Sequence, residues 1–125
     1  LQKRSANKRF SPNKWGLCAG HVDVYETLED AALREIKEEV GLDVSYEELI
    51  PYGEKEVTIK ENNSHITYFY YVKCNKKEDE FIIQEEELSK VKWFNIDEII
   101  TMIKDEKTSF KENRIKLFEK IKSDF

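Results

Sequence analysis

Residues 20–42, GHVDVYETLEDAALREIKEEVGL, hold the side chains best suited to chemistry. Glu35, Glu38 and Glu39 are spaced i, i+3, i+4, which on a helix gathers them within an arc of roughly 100°. Three carboxylates on one flank repel one another unless a cation relieves them. Hard divalent ions such as Mg²⁺ are held by carboxylate oxygens together with substrate phosphates, and Mn²⁺ accepts the same donors. A solvated acidic face, with Arg34 and Lys37 as ion-pair partners, is the competing account of this charge run.

The element that must carry these acids is a helix over Leu28–Val40. Thr27 is its N-cap, Glu29 and Asp30 suit the positive end of the dipole, and Gly41 stops it. Its apolar stripe, Leu28, Ala32, Ile36 and Val40, turns one side to the core and holds the neighbouring acids in place. Downstream, residues 66–74 (ITYFYYVKC) predict a central strand covered on both faces. Residues 54–60 predict a neighbouring strand, joined to it by a hairpin turn over 61–64. A solvated loop is expected over 75–80 and a short strand over 91–94. Asn95 with Glu98, and Ser109 with Glu112, read as capping boxes that open two further helices. The apolar stripes of these helices are Ile96, Ile99, Ile100, Ile103 and Phe110, Leu117, Phe118, Ile121. The fold class is α+β, a mixed β-sheet sandwiched between α-helices.

The chain of 125 residues predicts a single domain over 1–125, and its two Trp, six Tyr and seven Phe can fill a core despite a charged content of 38%. No apolar run approaches the roughly 20 residues needed to cross a bilayer, and the first residues are polar and basic, so neither membrane insertion nor secretion is expected. Cys18 and Cys74 cannot build a disulfide framework, which suits a reducing cytoplasm. The formal charge of −5 is unevenly spread. Lys3, Arg4, Lys8, Arg9 and Lys14 stand in the first 15 residues with no acid among them. That basic face is too narrow for a nucleic-acid duplex, and a small polyanion held between basic groups and carboxylate-bound metal fits better. Leu1 to Arg4 reads as the end of a β-strand without an initiator Met, so further strand sequence is expected upstream. Oligomeric state stays open, a homodimer included.

Gly20, five residues, Glu26, seven residues, then Arg34-Glu35-Ile36-Lys37-Glu38-Glu39-Val40-Gly41-Leu42 resembles the Nudix box, with every fixed position filled. The resemblance implies a metal-dependent hydrolase acting on phosphorus-containing anhydrides. It would cleave a pyrophosphate bond in a nucleoside diphosphate derivative or a related small-molecule diphosphate, with Mg²⁺ or Mn²⁺ as cofactor. It further implies that Glu38 and Glu39 are primary metal ligands, that Glu35 is a further ligand or the base that deprotonates water, and that the Ala19 carbonyl contacts metal. Arg34 would orient Glu35, Glu26 would brace the loop and helix, and Gly20 and Gly41 would meet backbone requirements. The pattern usually has Gly before its first Glu. Here that residue is Tyr25, which puts the loop conformation in question.

LQKRSANKRFSPNKW, residues 1–15, resembles the segment leading into the active site of isopentenyl diphosphate isomerases, a branch of the same superfamily, in which Arg and Lys hold the diphosphate. Arg4 and Lys8 match those positions; ordinary surface charge is the alternative. The isomerase pattern has Cys directly before Gly-His, whereas Gly20-His21 follows Ala19 and Cys18 stands one place early. His65 or Asn63 falls where the isomerase's downstream acid belongs. The balance favours a hydrolase on an isomerase-like frame, with an isomerase-like enzyme or a non-catalytic sensor of nucleotide metabolites as alternatives. Glu87, six positions before Trp93, matches an acid near the metals in many Nudix proteins; helix-start solvation competes with that role. His21 is more often a loop residue than a ligand, and Cys18 has no basic partner that would make it a nucleophile. Trp15, Tyr68 and Tyr70 could stack on a ring, though strand aromatics are usually core.

Overall fold

The computed structural model describes residues 1–62 and 64–125. In chain order the elements are β1 (Gln2–Arg4), β2 (Trp15–Gly16), α1 (Leu28–Val40), β3 (Ile50–Pro51), β4 (Glu56–Thr58), β5 (His65–Thr67), β6 (Tyr70–Tyr71), β7 (Leu88–Val91), α2 (Ile96–Lys104) and α3 (Ile115–Asp124). Single 3₁₀ turns occupy Tyr46–Glu48, Glu78–Glu80 and Glu112–Arg114. The class is α+β. The described strands form three small antiparallel ladders, β2-β1-β7, β3-β6 and β4-β5, while the parallel contact between Trp15 and Thr108 is an isolated bridge.

α1 has the predicted bounds because both ends are decided locally. The Thr27 hydroxyl accepts the Asp30 N–H at 3.1 Å, and Gly41 adopts φ +69° so that its N–H can reach the Lys37 carbonyl at 3.0 Å. Gly is required there twice over, since a Cβ would also press on the side chain and carbonyl of Ile82. The predicted stripe of α1 is half-buried, and Ala31 is its buried residue.

Residues 66–74 do not form one central strand. They split into β5, which pairs with β4, and β6, which pairs with β3. The change of partner breaks the ladder at Tyr68 and Phe69, where the Phe69 carbonyl accepts the Tyr52 N–H. Ile66 and Tyr68 stay exposed, since the segment is not covered on both faces. The predicted strand over 54–60 shortens to β4, and the predicted hairpin turn over 61–64 includes Asn63, which lies outside the described residues. The last strand begins three residues before the predicted 91–94, because its register on β1 sets Leu88 opposite Arg4 and buries it. The stretch over 75–80 is more than a solvated loop. Its Lys76 carbonyl accepts the Trp93 indole N–H at 2.8 Å, and Glu78 accepts the Trp93 backbone N–H.

Asn95 caps α2 by accepting the Glu98 N–H at 2.8 Å. Ser109 caps nothing. Its N–H is spent on the Trp15 carbonyl at 2.8 Å, so α3 starts six residues later, after the Glu112–Arg114 turn. The core lies between these two helices, where Ile99, Ile103 and Phe118 are buried and Phe94, Phe110 and Ile121 pack around them. Both cysteines are free thiols, and among the described residues no helix is long and apolar enough to cross a membrane.

The loop entering α1 turns through Tyr25, which has φ +69° and a fully exposed ring. A non-glycine residue in the left-handed region is strained, and among the described residues nothing packs on this ring in compensation. Tyr25→Gly should therefore raise unfolding stability by about 1 kcal/mol, read as a higher urea midpoint at unchanged slope. Phe118 is 2% exposed at the centre of the α2–α3 core. Phe118→Ala should lower stability by about 3–5 kcal/mol in the same titration.

Candidate active site

The acids of α1 divide into two groups around different partners. Arg34 organises the first. Its Nε and Nη2 grip the two oxygens of Glu26 at 2.7 and 3.0 Å, its Nη1 donates to Glu35 at 2.9 Å and to Glu38 at 3.2 Å, and its Nη2 also reaches the His21 carbonyl at 3.0 Å. Asp23 lies 3.5 Å from the same nitrogen. One planar guanidinium with five N–H donors thus ties the loop at 21–26 to the middle of the helix. The Arg34 hydrogen bonds hold the Glu26 carboxyl below its ordinary range. Lys37, the other cation expected to relieve the helix acids, pairs instead with Asp43.

Gly20 explains how Glu35 fits. A Cβ at position 20 would fall onto the Glu35 carboxyl group, so the side chain occupies room that only glycine leaves. Glu26 and Glu35 are largely covered, with side chains 15% and 18% exposed, while Glu38 is half-exposed.

Glu39 turns the other way. Its carboxylate accepts from the Cys18 thiol and lies beside the Gln2 side chain and the Ala19 N–H. Burial pushes the Glu39 carboxyl up from its ordinary value, and the nearby Glu35 charge adds to the shift. Cys18 is pushed up further, first by burial and then by the Glu39 charge, so it is a protonated donor and not a nucleophile. Ala19, expected to contribute its carbonyl, faces Glu39 through its N–H. Gln2 was not legible as a site residue, nor was the contact of Cys18 with Glu39: no local motif announces a contact made across β1 and a loop.

The predicted downstream acid lies at the same end of α1. The Glu39 carbonyl accepts the Gln84 N–H at 3.0 Å, and the Val40 carbonyl accepts the Ile82 N–H at 3.1 Å, which moors residues 82–84 on the helix terminus. The turn that follows places Glu87, whose carbonyl accepts the Ser5 N–H and whose side chain is ion-paired with Lys8. Arg4, the second predicted phosphate contact, donates from Nε to the Phe10 carbonyl of its own loop at 2.9 Å. Of the three aromatics weighed as stacking groups, Trp15 packs edge-on against Phe94, Tyr70 is half-buried with its hydroxyl on Glu29, and Tyr68 is exposed.

All these donors are carboxylate oxygens, the chemistry a hard divalent ion requires, and among the described residues Glu39 has no basic side chain to offset its charge. Among the described residues, no three His, Cys, Asp or Glu side chains are gathered around one point as ligands. Glu35 and Glu38 are turned onto Arg34, and Glu39 onto Cys18, so cation binding would draw them from these partners.

Known proteins give this geometry a context. An isopentenyl-diphosphate Delta-isomerase from Photorhabdus laumondii is 36% identical over 98 residues, covering 77% of this chain and 54% of that protein. An uncharacterized Nudix hydrolase from Clostridium acetobutylicum is 35% identical over 103 residues, covering 79% of this chain and 50% of its own length. A prenyl-diphosphate phosphatase from Methanosarcina mazei is 27% identical over 124 residues, or 95% of this chain and 71% of that protein. The chain spans about half the length of the first two relatives. The NUDIX domain profile matches residues 1–118, a span that includes Glu26, Arg34 and the three helix acids, and the chain belongs to the NUDIX domain family.

Proposed function

We propose that the protein is a Mg²⁺- or Mn²⁺-dependent hydrolase of a pyrophosphate bond in a small-molecule diphosphate, either a nucleoside diphosphate derivative or a related diphosphate ester. The carrying observation is the single guanidinium of Arg34 joined at once to Glu26, Glu35 and Glu38, with Glu39 held apart on the same helix. Family membership supports this reading, and the Methanosarcina relative, matched over nearly all of this chain, is named for a diphosphate substrate. A mixed sheet between helices, a reducing cytoplasmic setting and action on small molecules, with neither duplex nor membrane as partner, belong to the same proposal; a homodimer is compatible with it.

Glu35, Glu38 and Glu39, with the Ala19 carbonyl, would hold the ion. A bound divalent ion supplies charge neutralisation at phosphate oxygens and acidifies a water ligand. The chain's own residues do the rest. Gly20 and Arg34 fix where Glu35 stands, Glu26 keeps the Arg34 plane in place, and Lys8 and Arg4 offer positive charge to the diphosphate. Glu35 or Glu87 accepts the proton of the attacking water. Cleavage then leaves two phosphorylated fragments.

The Photorhabdus relative's name favours an isomerase as second reading. Against it, the residue directly before Gly20 is Ala19, and the nearby Cys18 thiol is engaged with Glu39. A diphosphate panel assayed for phosphate release should show turnover that stops on chelation with EDTA and returns with Mg²⁺ or Mn²⁺. Formation of dimethylallyl diphosphate from its isomer without hydrolysis would reverse the choice, and nucleotide binding without any turnover would make the protein a sensor. Glu39→Gln should lower kcat about 10²–10³-fold while the folded state persists by circular dichroism.

A further inference from the structure

Lys8 and Glu87 are 79 residues apart in the chain, yet the Lys8 ammonium donates to Glu87 Oε2. The backbone brings them together. The Glu39 carbonyl at the end of α1 accepts the Gln84 N–H at 3.0 Å, the Gln84 carbonyl accepts the Glu87 N–H at 2.9 Å, the Glu87 carbonyl accepts the Ser5 N–H at 3.0 Å, and the Ser5 carbonyl accepts the Lys8 N–H at 3.2 Å. The pair is therefore moored to the carboxylate helix, at the edge of the site.

The two groups have opposite uses under the hydrolase reading. Lys8 would bind phosphate and Glu87 would accept a proton, and while they are paired neither is free. The side chains are 24% and 42% exposed. An ion pair this accessible to water contributes little net stability and exchanges readily. A diphosphate brings several charges and several acceptor oxygens, which a lone carboxylate cannot match on an ammonium group.

We propose that the Lys8–Glu87 ion pair is a latch exchanged by substrate: the diphosphate displaces Glu87 from Lys8, and the carboxylate so released becomes available as an acceptor beside α1. The proposal rests on the hydrolase reading for its purpose but not for its test. Glu87 is then more than a neighbour of the site, since it competes with the substrate for Lys8. Lys8 in turn gives the site a preference for ligands charged enough to open the pair.

The test is a binding cycle with methylenediphosphonate, whose P–C–P bridge cannot be hydrolysed, titrated calorimetrically into the full chain with Mg²⁺ present. Glu87→Gln should tighten binding about threefold by freeing Lys8, and Lys8→Gln should weaken it about tenfold. In the Lys8→Gln background the Glu87→Gln gain should vanish, and Lys8→Arg should retain it. Equal or weaker binding by Glu87→Gln, or a gain that survives loss of Lys8, overturns the latch. In turnover of a diphosphate substrate, Glu87→Gln should lower KM and kcat together, a split that a structural role alone would not produce. An inactive wild-type protein that still shows the coupled binding would defeat the hydrolase reading and leave the latch standing.

Discussion

Concentrating negative charge on one flank of α1 is the constraint around which the rest of the molecule is arranged. Glu35, Glu38 and Glu39 would repel one another within a single helical turn, and the chain relieves this in two ways. Arg34 draws Glu35 and Glu38 together with Glu26 on its guanidinium. Glu39, still near Glu35, instead accepts from the Cys18 thiol, with the uncharged Gln2 side chain and Ala19 N–H beside it. The difference matters, because neutral donors satisfy hydrogen bonding without cancelling charge. Among the described residues Glu39 is consequently the one of the three with no cation beside it, which suits the divalent ion proposed for this site.

This arrangement demands close approach of backbone to side chain, and glycine supplies it at both ends. Gly20 makes room for the Glu35 carboxyl, while Gly41 lets the helix end turn against Ile82. The N–H groups of Ile82 and Gln84 can then donate to the last carbonyls of α1, and the turn that follows delivers Glu87 to Lys8. A loop-borne acid is thus positioned by a helix terminus, and the basic leading segment is positioned by that loop. Tyr25 is the exception in this use of conformational freedom: a bulky residue holds a left-handed φ where the family pattern usually has glycine.

What the sequence made legible was local. The bounds of α1 follow from Thr27 and Gly41, and the cap of α2 follows from Asn95, because each signal lies within a few residues of its effect. The acids and Arg34 were legible for the same reason, with helical spacing and the box pattern agreeing. The strands were not. Whether 66–74 runs on or breaks depends on which distant segment pairs with it, and alternation of side chains does not encode that change of partner. Ser109 has a cap's composition and fails as one because Trp15, 94 residues away, takes its N–H. The contacts Gln2–Glu39 and Lys8–Glu87 escaped for the same physical reason: each joins residues brought together by tertiary structure alone.

The apolar core and the acidic helix occupy different parts of the molecule, and this separation bears on how the site is held. Ile99, Ile103 and Phe118 are buried between α2 and α3, whereas α1 buries only Ala31. The stripe of Leu28, Ala32, Ile36 and Val40 is half-buried, so apolar contact contributes to holding α1 but does not by itself fix its orientation. Polar moorings add to it: Arg34 to the His21 carbonyl, Ile82 to the Val40 carbonyl, Gln84 to the Glu39 carbonyl, and the two caps. Such contacts are directional, so they fix orientation more tightly than apolar packing of equal strength would. Most of them also involve the chemistry-bearing residues or their immediate neighbours. Placement of α1 and assembly of the candidate site are therefore one event, and a change that loosens the Arg34 cluster displaces the acids before it threatens the core.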